Sequence, residues 1–109
     1  MGEKPEIQAL VEAARMERWD EVKPALPKIK ADRRYFAWAI SEGIMHANCD
    51  VRDLAVSIIN GAELGDEDRV MGIHKLGKAM AALRGRDPEA ANTAFACRDV
   101  LEKRRSRTA

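Results

Sequence analysis

The run from Asp50 to Leu64, Asp-Val-Arg-Asp-Leu-Ala-Val-Ser-Ile-Ile-Asn-Gly-Ala-Glu-Leu, constrains this chain more than any other stretch. Val51, Leu54, Ala55, Ile58 and Ala62 recur at three- and four-residue steps, one apolar stripe of helical period that a strand has no way to bury on a single face. Val56 and Ile59 widen the stripe, so the helix is expected in the centre of the core with neighbours on two sides. Asp50 is expected to cap it, Asp53 to sit favourably near the positive end of its dipole, and Gly65 to end it in the left-handed conformation.

The rest of the chain supplies partners of the same kind. Pro5 suits the first turn of a helix whose inner face is Ile7, Leu10, Val11 and Ala14, running to about Arg18 and closed by Trp19. Asp20 is placed to cap a second helix carrying Val22, Ala25, Leu26 and Ile29; Pro24 falls near its first turn, and Pro27 is expected to bend or interrupt it. Asp32 opens a third, with Phe36, Ile40, Gly43 and Ala47 on one stripe and Tyr35 and Trp38 on the flanks, either covered by other elements or left for a partner. Asp66 is read as the cap of a fifth helix with Val70, Ile73, Leu76, Met80 and Leu83 inward. Gly72 and Gly77 inside it each cost about 1 kcal/mol against Ala, which a close helix approach would explain. Gly85 stops that helix, and Asp87 with Pro88 starts a sixth whose inner region is Ala91, Ala94, Phe95, Cys97, Arg98 and Leu101. From about Lys103 the chain is expected to trail out as a basic tail.

Six helices with short connections make three antiparallel pairs in a single all-α domain spanning residues 1–109. Composition agrees: charged residues are 34% and aromatics 5%, a balance of helical proteins rather than sheets. The net charge of +1 provides no global field to attract nucleic acid or a membrane, so any basic footprint is local. No apolar run reaches the roughly 20 residues of a membrane span. Cys49 and Cys97 do not form a disulfide framework and no secretory leader is read ahead of the first helix, so a cytoplasmic setting is expected.

Asp50, Val51, Arg52 and Ala55, followed by Ile58 and Ile59, resemble the second helix of a HEAT repeat of the armadillo/HEAT superfamily. The resemblance centres on residues 50–59 and extends loosely from Asp32 to Lys103. It implies a right-handed α-α superhelix, structural roles for Asp50 and Arg52 in a ladder between stacked repeats, and no enzymatic activity. Superposing Asp50 on Glu89 gives an offset of 39 residues, suited to a two-helix repeat, and aligns Ala55 with Ala94 while Arg52 meets Ala91. Three helical hairpins also close into a compact bundle, and both arrangements stay open.

No glycine-rich phosphate loop, nucleophile elbow or His-centred catalytic set is present, and the paired acids lie at helix starts, where carboxylates serve the dipole. An enzyme is not expected. His46, Cys49, His74 and Cys97 equal a zinc set in number, but paired ligand spacing occurs only at His46 and Cys49, so no metal or other cofactor is assigned. The expected function is a binding or scaffold module for a protein partner, through outward residues of the second helices: Val56, Ile59, Asn60, Glu63, Asn92 and Asp99. The alternative is nucleic-acid binding through Arg33, Arg34 and Trp38 together with Lys103, Arg104, Arg105 and Arg107. An apolar end helix also leaves room for a homodimer.

Overall fold

Asn48, rather than Asp50, starts the central helix. In the computed structural model its side-chain oxygen accepts the backbone N–H groups of Asp50 at 2.8 Å and Val51 at 3.1 Å, which puts Asp50 inside the first turn. The structure describes residues 5–63 and 65–108, with side chains described for residues 7–63 and 65–103. Over these the chain forms seven α-helices and one π-helical turn, with no strand among the described residues: α1 Pro5–Arg15, α2 Trp19–Val22, α3 Leu26–Ile29, α4 Arg33–Trp38 continuing into the π turn Ala39–Gly43, α5 Cys49–Gly61, α6 Asp66–Leu83 and α7 Pro88–Thr108. None of these helices is long and apolar enough to cross a membrane.

Local chemistry explains the boundaries that depart from expectation. Helix α1 ends at Arg15 because Glu17 adopts a left-handed φ of 60°, the Glu17 N–H donating to Ala14 O and the Arg18 N–H to Ala13 O. That is a Schellman closure made without glycine. Trp19 therefore opens α2 instead of closing α1. The expected second helix is two single turns, since Pro24 falls in the turn at residues 23–25 and Pro27 sits harmlessly in the first turn of α3. Gly65 does not end α5; it has φ −76° and ψ 171°, extended, and leads into α6, so Asp66 is the first helical residue and not the cap. Helix α5 stops at Gly61. Beyond it the Glu63 N–H donates to Lys30 O at 2.8 Å and the Glu63 carboxylate pairs with Lys30 at 3.1 Å, tying the end of α5 to the end of α3. Helix α7 continues to Thr108 where a trailing end was expected.

The π turn follows from close packing. A Cβ on Gly43 would lie 2.8 Å from the Ala55 Cβ and 2.9 Å from the Trp38 ring, so α4 and α5 meet where only glycine fits. Ser41 donates its hydroxyl to Ala37 O at 2.7 Å, competing for the carbonyl of the preceding turn, while the Ile44 N–H reaches back five residues to Ala39 O. Tyr35 and Trp38 are buried with Phe36 and Ile40, which makes the aromatic segment core.

Helix α5 is central: α1, α3, α4, the π turn and α7 all pack on it, through Val51, Leu54, Ala55, Ile58 and Ile59. The most extensive pairing is α6 with α7, whose short connection makes them antiparallel. Their inward faces are Gly72, Leu76, Ala79 and Leu83 against Ala90, Ala91, Ala94, Cys97 and Leu101. This rotation overturns two expected core positions, leaving Val70 51% and Phe95 55% exposed.

The two interior glycines of α6 differ in their reason. A Cβ on Gly72 would stand 2.6 Å from the Phe36 ring and 3.0 Å from Leu101, whereas one on Gly77 would meet nothing within 4 Å. Gly77→Ala should raise stability by about 1 kcal/mol through helix propensity, and Gly72→Ala should lower it by about 1–3 kcal/mol through overpacking. Urea unfolding of the two variants beside the unaltered protein reads both signs.

Candidate functional site

Arg52 is the residue from which the site is built. It is 6% exposed, and a guanidinium buried this far needs its donors satisfied. Its Nη1 donates to His46 O at 2.8 Å and Ala47 O at 3.2 Å, where the chain leaves the π turn. The same group faces Asp87 at 3.7 Å and Glu89 at 3.6 Å, at the start of α7. Asp87 also caps α7, accepting the Ala90 N–H at 3.1 Å, and Pro88 occupies the first helical position as its sequence demands. Asp50 makes no ion pair among the described residues. The acids that answer Arg52 come instead from the following helical pair.

This link holds the N-terminal half of α7 beside α5, and a groove of about 430 Å³ lies between them. Asp53, Val56 and Asn60 line it from α5 at steps of three and four residues; Glu89, Asn92, Thr93, Ala96, Cys97 and Val100 line it from α7 with the same period. Val56, Ala96 and Val100 make an apolar floor. Asn60, Asn92 and Thr93 are polar, Thr93 donating its hydroxyl to Glu89 O at 3.1 Å, and the carboxylates of Asp53 and Glu89 make one end acidic.

Three of the six residues expected to face a partner meet here: Val56, Asn60 and Asn92. The other three do not. Ile59 is fully buried in the core, at 0% exposure, because α5 has neighbours on that side too. Glu63 is bound to Lys30, and Asp99 pairs with Lys103 at 3.2 Å, one turn apart along α7. Asp53, Glu89, Thr93, Ala96, Cys97 and Val100 were missed, although the spacing that placed Val56 and Asn60 on one side of α5 places Asp53 there as well.

The basic set is differently arranged. Arg33 pairs with Asp68 at 2.8 Å and Arg34 with Asp32 at 2.7 Å. Trp38, 6% exposed beneath α5, presents no ring on which a base could stack, which corrects its assignment to a binding surface. Lys103 is engaged by Asp99, and the side chains of Arg104, Arg105 and Arg107 lie outside the described residues. Of the residues equal in number to a zinc set, His46 accepts the Asn48 N–H on Nδ1 at 3.0 Å, Cys49 is exposed and Cys97 is buried. Among the described residues no three His, Cys, Asp or Glu side chains converge as metal ligands.

No family model, curated protein or solved structure matches this chain.

Two measurements test the chemistry of this region. Burial pushes the Cys97 thiol from its ordinary 9.0 up to about 11, so the folded chain holds that proton more tightly than the unfolded chain. The resulting stabilisation is complete below pH 9.0 and is lost as pH rises toward about 11. The decline in urea midpoint over that range should be shallower in Cys97→Ala. Arg52→Ala removes the donors to His46 O and Ala47 O and the partner of two carboxylates, and should cost about 3 kcal/mol in the same assay.

Proposed function

We propose that this protein is a non-enzymatic binding module and that the α5–α7 groove receives a segment of a protein partner. The observation that carries the reading is the convergence of Val56, Asn60 and Asn92 on one groove with an apolar floor and a carboxylate end. An amphipathic helix with an apolar ridge for Val56, Ala96 and Val100, and a Lys or Arg for Asp53 and Glu89, suits that combination.

The packing pattern supports a HEAT-like layering in this reading. Helices α1 and α3 each pack on α5, with α2 against α1; the last pair, α6 with α7, packs on the π turn and on α5; α4, the π turn and α5 stand between them. Helices α3, α5 and α7 then form one layer, and a second cleft of about 390 Å³ lies between α3 and α5. Stacked hairpins leave such seams open along their second helices. The nucleic-acid alternative has less support, since Arg33, Arg34 and Lys103 each face an acid and Trp38 is buried.

The test is a pull-down from native extract with and without nuclease, comparing the unaltered protein with a Val56→Glu, Asn92→Arg double variant whose circular dichroism is unchanged. Proteins retained after nuclease and lost from the variant support the groove. Identical capture by both overturns it, and capture that disappears with nuclease transfers the function to nucleic acid.

A further inference from the structure

A second seam runs between α4 with its π turn and α6, and its chemistry is opposite to that of the α5–α7 groove. On α6, Asp68, Met71, Lys75, Lys78 and Ala82 recur at three- and four-residue steps; across from them Arg33, Ala37, Ser41 and Met45 recur every fourth residue. Two openings follow one another along this seam, about 740 Å³ at the Arg33–Met71 end and about 300 Å³ at the Met45–Lys78 end. Phe36, Ala37 and Met71 give the first opening an apolar part, and Ile40, Met45, Ala79 and Ala82 the second. Met71 and Met45 are each 37% exposed, one in each opening, and an unbranched thioether reshapes readily around an apolar guest.

The rim is basic in excess. Asp68 and Asp32, the two acids lining the seam, are already engaged by Arg33 and Arg34. Lys28 lines the first opening, Lys75 and Lys78 line the second, and none of the three faces an acid within the described residues. Three cations thus flank an apolar channel with no internal counter-charge. From Asp68 to Ala82 the α6 wall runs about 21 Å at 1.5 Å per residue, roughly four helical turns. A nucleic acid would want exposed rings to stack on, and the aromatic side chain lining the seam, Phe36, is 2% exposed. A protein segment with an aliphatic ridge and acidic flanks satisfies floor, rim and length together.

We propose that the seam between α4 and α6 is a docking site for an acidic amphipathic helix of a partner protein, separate from the α5–α7 groove and independent of any function there. The ridge lies over Met71, Ala37 and Met45, and the flanking carboxylates reach Lys28 at one end and Lys75 and Lys78 at the other.

The experiment uses the full chain and a fluorescein-labelled synthetic peptide of about 15 residues, with leucines at helical ridge spacing and glutamates on both flanks. Comparators are the same residues scrambled, the peptide with Lys for every Glu, and a single-stranded DNA oligonucleotide. Fluorescence anisotropy should show the acidic amphipathic peptide binding at least about 10-fold more tightly than the scrambled one. Amide shifts in the spectrum of the unaltered protein should move along α4 and α6 and stay still along the α5–α7 groove. Lys75→Glu with Lys78→Glu should weaken the acidic peptide about 10-fold and confer binding of the Lys-flanked one, a gain that misfolding does not produce. The Val56→Glu, Asn92→Arg variant should bind the acidic peptide unchanged. Equal binding of the scrambled peptide, shifts confined to α5 and α7, an oligonucleotide bound in preference to every peptide, or no peptide binding at all would overturn the proposal.

Discussion

The Arg52 guanidinium joins three parts of the chain: α5, the connection that follows the π turn, and the start of α7. Burying a charged group is unfavourable unless it is hydrogen-bonded and its charge is balanced; here the His46 and Ala47 carbonyls, in the connection after the π turn, accept from it, and Asp87 and Glu89 at the start of α7 balance its charge. The same acids favour the positive end of the α7 dipole. One side chain on α5 therefore ties the connection after the π turn to the start of α7, beside the acidic end of the α5–α7 groove.

Arg69 provides the contrast. It is as deeply buried, and its Nη2 meets Asp66 at 2.8 Å, but its Nη1 has no hydrogen-bond partner among the described residues. An unmet buried donor costs on the order of 1–3 kcal/mol, which offsets part of what the Asp66 contact contributes. The α6–α7 pair withstands this through contact area. Its seam is built of glycine and alanine with Leu76, Leu83 and Leu101, which lets the helices approach along most of their length. The larger residues, Val70 and Phe95, remain at the surface.

Much of this was legible in the sequence where one local signal decides. The period of residues 51–62, the cap of Asp32 on α4 and the Asp87–Pro88 start of α7 each carry their meaning without reference to the rest of the chain. The Glu17 closure was not legible, because a left-handed glutamate has no signature of its own and the closure depends on Ala13 and Ala14 carbonyls. The π turn and the orientations of α6 and α7 were not legible either, since each is decided by what packs opposite: Ala55 against Gly43, Phe36 against Gly72. In the groove, periodicity found Val56 and Asn60, yet it assigned Ile59 to the outside because a helix with neighbours on several sides has little outside left.

The Gly72 contact has a spectroscopic consequence. The hydrogen that stands where other residues carry Cβ points at the Phe36 ring from within touching distance, inside the reach of the aromatic ring current. Its chemical shift therefore records the separation of α4 and α6 directly, with no label and no alteration of the chain, and any guest that wedges the two helices apart would displace that single resonance.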